Sequence, residues 1–406
     1  MFAVFNSFRK GPLHKMRTGS ARLLAAASIA LVAACEPIAL GGLGGGNPNS
    51  GQMIDPTQPV PVALLVPRGS GNGTDDTLAQ NLENAARLAM ADLDGVKIDL
   101  RVYSTAGNAA KAQTAALQAV NDGALIILGP VFGEAANAAG VAVASKNVNV
   151  LAFSNNATIA GGNVFVLGPT FDNIANRLTQ FARKQGKSRI LVVSSDNAAG
   201  QLGNAAIQKA IARNGATLAG AVSYEFSQPG VIAAVPKIKA AAVAGNADAI
   251  FMTSNTAGSL PLFSQMLPEA GIGPDVAQYI GLTRWDIPAQ TTSLPGVQGS
   301  WFALPDPNKS AAFSSRYNAA YGSSPHPIAG LAYDGIAAIG ALAKAGKRDA
   351  LTHAALTQGA GFQGATGIFR LRPDGTNQRG LAVAQIKNKK VVVIDAAPGS
   401  FAGAGF

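Results

Sequence analysis

Residues Val60 to Pro67 read VPVALLVP, and the loop Arg68-Gly69-Ser70-Gly71-Asn72-Gly73 follows directly. A short, nearly unbroken apolar run that ends in a turn signal predicts a strand buried on both faces, as in a parallel sheet. Beyond the loop, Leu82, Ala85, Ala86, Ala89 and Leu93 recur at helical spacing. Working outward, the pair repeats: strand 97–103, helix 109–121, strand 124–128, helix 133–146 and strand 150–153. After Gly168-Pro169 a second series begins. It comprises helix 173–185, strand 189–194, helix 200–214, strand 217–224, helix 231–244 and strand 249–253. Strands alternating with amphipathic helices imply an α/β protein with parallel sheets flanked by helices, and two series imply two similar lobes. Ligands of such sheets sit beyond the carboxyl ends of the strands. The loops 68–76, 129–133, 154–160, 195–200, 254–258 and 282–286 are therefore expected to face one another across a cleft.

The N-terminus carries a different signal. Arg9, Lys10, Lys15, Arg17 and Arg22 precede an apolar run from Leu23 to Ala34, and no acidic residue appears before Glu36. This is the pattern of a secretory signal, 1–34, and the run falls short of the roughly 20 residues that span a bilayer. Met16 to Ala34 alone makes a complete signal, so Met16 is an alternative start. Val32-Ala33-Ala34-Cys35 resembles the lipobox of bacterial lipoproteins, which implies acylation of Cys35. Glu36, where lipoproteins kept in the inner membrane often carry Asp, points to the outer membrane. The Gly, Pro and Asn residues that follow predict a tether over 35–59. The body then runs to about 396 with a short tail, 397–406, and is long enough for two cores.

Composition removes several functions. Of 32 Lys and Arg residues, five precede Cys35, and the remaining 27 stand against 22 Asp and Glu. That surplus of five is spread along the chain with no basic block interleaved with aromatics, so nucleic-acid binding is not expected. The densest cluster, Lys387, Lys389 and Lys390, predicts a solvated hairpin turn. Cys35 is the only cysteine, so the body holds no disulfide, thiol nucleophile or thiolate metal site. His326 and His353 read as surface or helix-end residues. The loop Gly69 to Gly73 departs from GxGxxG, because Thr74 stands where the third glycine belongs. No GxxxxGK[ST] or GxSxG is present, and Asp75-Asp76 are adjacent rather than opposed. No enzyme, metal or cofactor is expected.

Four segments carry a family likeness. They are Ala124 to Pro130, Ser154 to Ile159, Leu331-Ala332-Tyr333-Asp334-Gly335, and Phe362 to Gly367 followed by Phe369 and Asp374-Gly375. In this order they resemble the leucine-binding-type, or type I, periplasmic binding proteins over 60–395. The resemblance implies two lobes joined by three crossovers, with lobe one over 60–170 and 297–356 and lobe two over 171–296 and 357–396. It implies a ligand loop containing Ser154, Asn155, Ala157 and Thr158, and matches the ammonium-binding aspartate to Asp172. Other family positions differ: Gly133 stands for a serine, about Leu167 for an arginine and about Ala199 for a tyrosine. A zwitterion needs donors for its carboxylate, so this pattern weakens the amino-acid reading.

Gly281 to Trp285 and Gly296-Val297-Gln298-Gly299-Ser300-Trp301-Phe302, then Tyr317 to Gly322, are similar to lipoproteins that activate class A penicillin-binding proteins. That branch implies a non-enzymatic docking body in peptidoglycan synthesis, partnered by a class A penicillin-binding protein. The alternative is the solute-binding lipoprotein of an ABC importer, partnered by its permease and a small polar ligand. Arg284 and Trp285 are the expected anchors of a partner contact at the cleft rim; the other place for Trp285 is inside its own lobe.

Overall fold

The computed structural model describes residue 47 and residues 50–401, so Cys35 and the signal lie outside the described residues. The first lobe is built from β1 (Val60–Val66), α1 (Gly73–Ala91), β2 (Ile98–Ser104), α2 (Ala109–Asn121), β3 (Ile126–Leu128), α3 (Gly133–Ala144), β4 (Asn149–Ala152) and β5 (Val164–Val166). Its five strands are all parallel, in the order β2-β1-β3-β4-β5. The apolar run of β1 works because both faces are covered. Val62, Leu64 and Val66 enter one core, while Ala63 and Leu65 enter the other. Alternation is thus present in the structure although the sequence reads as continuous.

The second lobe holds α4 (Phe171–Lys184), β6 (Arg189–Ser195), α5 (Ala198–Arg213), β7 (Thr217–Tyr224), α6 (Gln228–Ala244), β8 (Ala249–Met252), α7 (Leu260–Glu269), β9 (Gln278–Gly281) and β10 (Trp301–Pro305). The chain then returns to the first lobe with α8 (Pro307–Tyr321), α9 (Gly330–Lys344) and α10 (His353–Leu356). A small antiparallel sheet of β11 (Phe362–Gly364), β12 (Gly367–Leu371) and β13 (Asn377–Arg379) follows. The hairpin β14 (Leu381–Lys387) and β15 (Lys390–Asp395) ends the fold. The second sheet runs β15-β14-β10-β9-β8-β6-β7, with β14 alone running against the other strands. Leu191 and Val193 of β6 face one core and Ile190 and Val192 the other. The chain passes between lobes after β5, after β10 and after β13, which is the two-lobed type I periplasmic-binding-protein fold.

Two expected boundaries move. Residues 301–305, expected in lobe one, form β10 of the second sheet, paired with β9 and β14. Residues 362–371, expected in lobe two, bury Phe362, Ala365, Phe369 and Leu371 in the first lobe's core. Nor does a tether run to 59. The Ser50 carbonyl accepts the His353 N–H at 2.7 Å, Gly51 and Asn147 exchange two hydrogen bonds of 2.9 Å, and Ile54 is 2% exposed. Gly51 adopts φ +129° beneath Leu351, where a side chain would strike the backbone. His353 itself is buried at the start of α10, with its ring against Phe165 and Nε2 3.0 Å from the Pro373 carbonyl.

Candidate functional site

The loop after β4 is ordered by its own side chains. Ser154 is buried, and its hydroxyl accepts the Asn156 N–H at 3.1 Å. Asn156 Oδ1 accepts the Thr158 N–H at 3.0 Å and its hydroxyl at 2.8 Å, which starts a single 3-10 turn over Ala157–Ile159. This Asx geometry is what Asn before a turn is suited to make. The Asn156 amide lies against Gly133, 3.3 Å from where a β-carbon would stand. It thereby occupies space that a serine at 133 would need. Phe132 gives α3 no side-chain cap, so the first-turn N–H groups of that helix are left to other partners.

Across the cleft stands the second lobe. Thr170 caps α4, with its hydroxyl 3.3 Å from the Asn173 N–H, and this places Phe171 and Asp172 in the first helical turn. Ala199, Leu202, Ala205, Ala206 and Lys209 recur at three- and four-residue steps along α5, so they share one helix face. That face, Phe171 and Asp172 enclose a cavity of about 580 Å³ with Asn155, Asn156, Ala157 and Thr158 of the first lobe. Lys209 Nζ lies 3.4 Å from Asp172 Oδ1, within a single lobe. Leu202, 43% exposed, and Phe171 are the large apolar side chains of a lining otherwise made of alanines, Asn155, Asn156, Thr158, Asp172 and Lys209. The size suits a small molecule with an apolar body and few polar ends.

The expected residues divide. Asn155, Ala157, Thr158 and Asp172 line this cavity, and Ser154 sits beneath the loop as its prop. Arg284 and Trp285 are outside it. Trp285 is fully buried in the core of its own lobe, and its Nε1 donates to the Ser254 carbonyl at 3.1 Å. Gly281 makes this possible, since a β-carbon there would lie 2.4 Å from the indole. The expected position at the rim is therefore corrected. Arg284 is held by Asp286, Nε to Oδ1 at 2.6 Å. Lys209, Leu202 and Phe171 were not singled out from sequence, although the spacing of Leu202, Ala206 and Lys209 on one helix face was visible there.

The turn between β12 and β13 carries Arg372. Burial pushes this guanidinium below its usual range, and Arg213 and Arg370 push it the same way while Asp374 and Asp172 oppose them. Among the described residues, no group of three His, Cys, Asp or Glu could hold a metal, and no helix is long and apolar enough to cross a membrane.

Comparison with known proteins agrees with this architecture. A family model of periplasmic binding proteins matches residues 59–390. No curated protein sequence matches the chain. Among solved structures, a protein from Rhodospirillum rubrum described as a branched-chain amino acid ABC transporter superposes with a TM-score of 0.71 at 19% identity. The match covers 83% of this chain and all of that one. A branched-chain amino acid ABC transporter ligand-binding protein from Burkholderia xenovorans gives a TM-score of 0.66 at 19% identity, covering 85% and 97%. An R. palustris solute-binding protein in complex with benzoate gives 0.56 at 18%, covering 86% and 99%. With its family model spanning both lobes and all three crossovers, the chain belongs to the periplasmic binding protein family.

Proposed function

We propose that this protein is a non-enzymatic, lipid-anchored solute receptor that closes its lobes on a small molecule and presents it to an ABC permease. The observation that carries this reading is the cavity itself, because it joins the Asn155–Thr158 loop of one lobe to Asp172 and the α5 face of the other. A ligand touching both walls favours the closed arrangement by its differential affinity for the two states. Its apolar body would pack on Leu202 and Phe171, and its polar end would meet the amides and hydroxyl of the opposite loop. The test is a thermal melt of the intact chain against amino acids and small organic acids. A ligand at 100 times its dissociation constant adds about 2.7 kcal/mol of stability. Leu202→Glu, on an exposed helix face, is expected to keep the basal melt and lose that ligand-dependent gain. A gain unaltered by Leu202→Glu would place the ligand elsewhere.

Anchoring belongs to the same proposal and rests on the Val32 to Cys35 sequence. Cys35→Ser is expected to block acylation and move the protein from the membrane to the soluble fraction. A variant that still takes up labelled palmitate would overturn the lipobox reading.

The penicillin-binding-protein activator is the second reading, and one observation favours it. Phe226 and Ile287, 49% and 45% exposed, flank the loop after β8 on the second lobe. Exposed aromatic and aliphatic side chains at a rim suit a protein contact. Outer-membrane placement goes with this reading. Phe226→Asp is expected to abolish capture of a class A penicillin-binding protein if the docking body is the function, and to leave capture unchanged if it is not.

A further inference from the structure

We infer that the outer edge of β15 pairs two copies of this protein about a two-fold axis through Val392, as antiparallel strands of one continuous sheet. The inference is independent of what the cleft binds.

β15 ends the order of the second sheet, so among the described residues no strand covers its outer side. Edge strands are usually kept short, charged or bent, because their unpaired N–H and C=O groups invite another strand. Here Val391, Val392, Val393 and Ile394 stand in a row, 38%, 40%, 42% and 36% exposed, and none packs into either core of the lobe.

The hairpin fixes which backbone groups are free. Lys387 and Lys390 flank the two-residue turn and exchange both backbone hydrogen bonds. Alternation then turns Val392 inward to Gln385, while Val391 and Val393 direct their N–H and C=O groups away from β14. The register shift beside Val393 ends the regular ladder, so these two residues are the usable edge. A two-fold axis perpendicular to a sheet keeps every residue on its own face, so opposed residues are both odd-numbered or both even-numbered. One self-pairing meets that condition and uses both free residues. In it, Val391 of each copy exchanges hydrogen bonds with Val393 of the other, and Val392 faces itself on the axis. Centring on Val391 or Val393 instead sets the other of these opposite the turn or opposite Asp395, which pairs with Val383. Val391 and Val393 of both copies then meet on one face and the two Val392 on the other, and β-branched pairs of this kind stabilise antiparallel strands.

Charge favours a second copy over an arbitrary strand. Lys387, Lys389 and Lys390 crowd the turn without an ion pair among the described residues. Lysines at an edge ordinarily keep a neighbour away. In this register Lys389 comes level with Asp395 of the other copy, an acid that Arg177 holds at the strand end at 3.0 Å. The two Lys390 lie at opposite ends, about 14 Å apart along the strands, beyond the screening length of about 8 Å in physiological salt. The lysines thus bar a strand that sets a cation beside them and admit one that ends in an acid, as β15 itself does.

Disulfide trapping in the intact chain carrying Cys35→Ser tests the register, since Cys35 is its only thiol. Opposed residues of a non-hydrogen-bonded pair stand about 4.5 Å apart at Cα, inside the span of about 4.4–6.8 Å that a disulfide bridges. Val392→Cys is expected to give mostly covalent dimer under mild oxidant. Ile394→Cys, about 14 Å from its copy, is expected to stay monomeric. In sedimentation, the Cys35→Ser chain without an added cysteine is expected to dimerise as its concentration rises. Val392→Lys is expected to abolish that dimer with the melt unchanged, because two like charges would meet on the axis. Linking through Ile394→Cys as readily as through Val392→Cys would mark chance collision and overturn the pairing. A dimer that survives Val392→Lys would overturn it too, by placing the contact on another surface. A monomer throughout, with Val392→Cys unlinked, would overturn the self-pairing and leave the edge to an extended segment of another protein.

Discussion

Arg379 and Asp334 meet in the interior where the lobes join, 7% and 0% exposed. Arg379 Nη1 donates to Asp334 Oδ2 at 2.9 Å, and its Nε donates to the Leu167 carbonyl at 3.1 Å, beside the first crossover. Asp334 Oδ1 accepts the Ala365 N–H at 2.7 Å. Gly364 leaves room for that carboxylate, because a β-carbon there would fall 2.1 Å from it. Burial pushes the Asp334 carboxyl up, against the opposing pull of Arg379, and pushes the Arg379 guanidinium down, against Asp334. The charges are therefore mutually dependent. Removing one partner strands the other, so Arg379→Met is expected to cost about 3–5 kcal/mol in denaturant titration. Asp334→Leu together with Arg379→Met should cost less than the two single changes added, with a coupling of about 0.5–3 kcal/mol. Strict additivity would mean that the pair does not act as a unit.

At the scale of elements, the hairpin of β14 and β15 shows how local chemistry and charge divide the work. Lys387 pairs with Lys390, which leaves Asn388 and Lys389 as a two-residue turn with φ +52° and +62°. Both values are left-handed, as the twist of a two-residue hairpin demands. Asn tolerates this conformation but Lys does not favour it. Lys389→Gly is expected to raise stability by about 1 kcal/mol, since the backbone bonds of residue 389 to Gln298 and Thr292 survive the change. A lower melt would mean that the lysine side chain contributes more than the strain it costs. This turn was legible because charge and turn residues coincide. The long elements were legible for a similar reason: α2 and β7 fall on the expected residues, since their apolar periodicity is sustained. Among the three-residue strands, β3 falls within the expected strand 124–128, whereas β5 and β13 were not read as strands. Trp285 failed differently. Its loop position was visible, but its burial depends on Gly281 and Ser254, which pattern along the chain does not connect to it. Half of the cleft was legible as loops at strand ends. The other half, the Leu202 to Lys209 face, needed the orientation of α5 to become a wall.

At the scale of the whole molecule, the lobes share polar links that run along the crossovers. Asn377 Nδ2 donates to the Val166 and Gly168 carbonyls at 2.6 and 2.7 Å, and Asn173 Nδ2 donates to Asn377 Oδ1 at 2.7 Å. Hydrogen bonds of this kind can hold a hinge while apolar cores keep each lobe rigid. The chain enters this assembly at the opposite end of the first lobe, because Gly51 contacts Asn147 and Leu351 near the start of β4. Residues 50–59 thus lie away from the cleft loops. The segment 50–59 also closes the first core. Ile54 packs into it with 2% exposure, and its N–H donates to the Arg348 carbonyl at 2.8 Å. Full burial of an isoleucine is worth about 1.5–3 kcal/mol, and the His353 N–H would lose its acceptor as well. A chain beginning at Val60 is therefore expected to be about 3 kcal/mol less stable than one beginning at Ser50, by denaturant titration. Its ligand affinity, if the cleft reading is right, should match that of the longer chain, since no residue of 50–59 lines the cavity. Equal stability of the two chains would show that the segment lies on the lobe without supporting it. A loss of affinity in the shorter chain at temperatures where it remains folded would show that the first lobe transmits disorder from its base to its cleft.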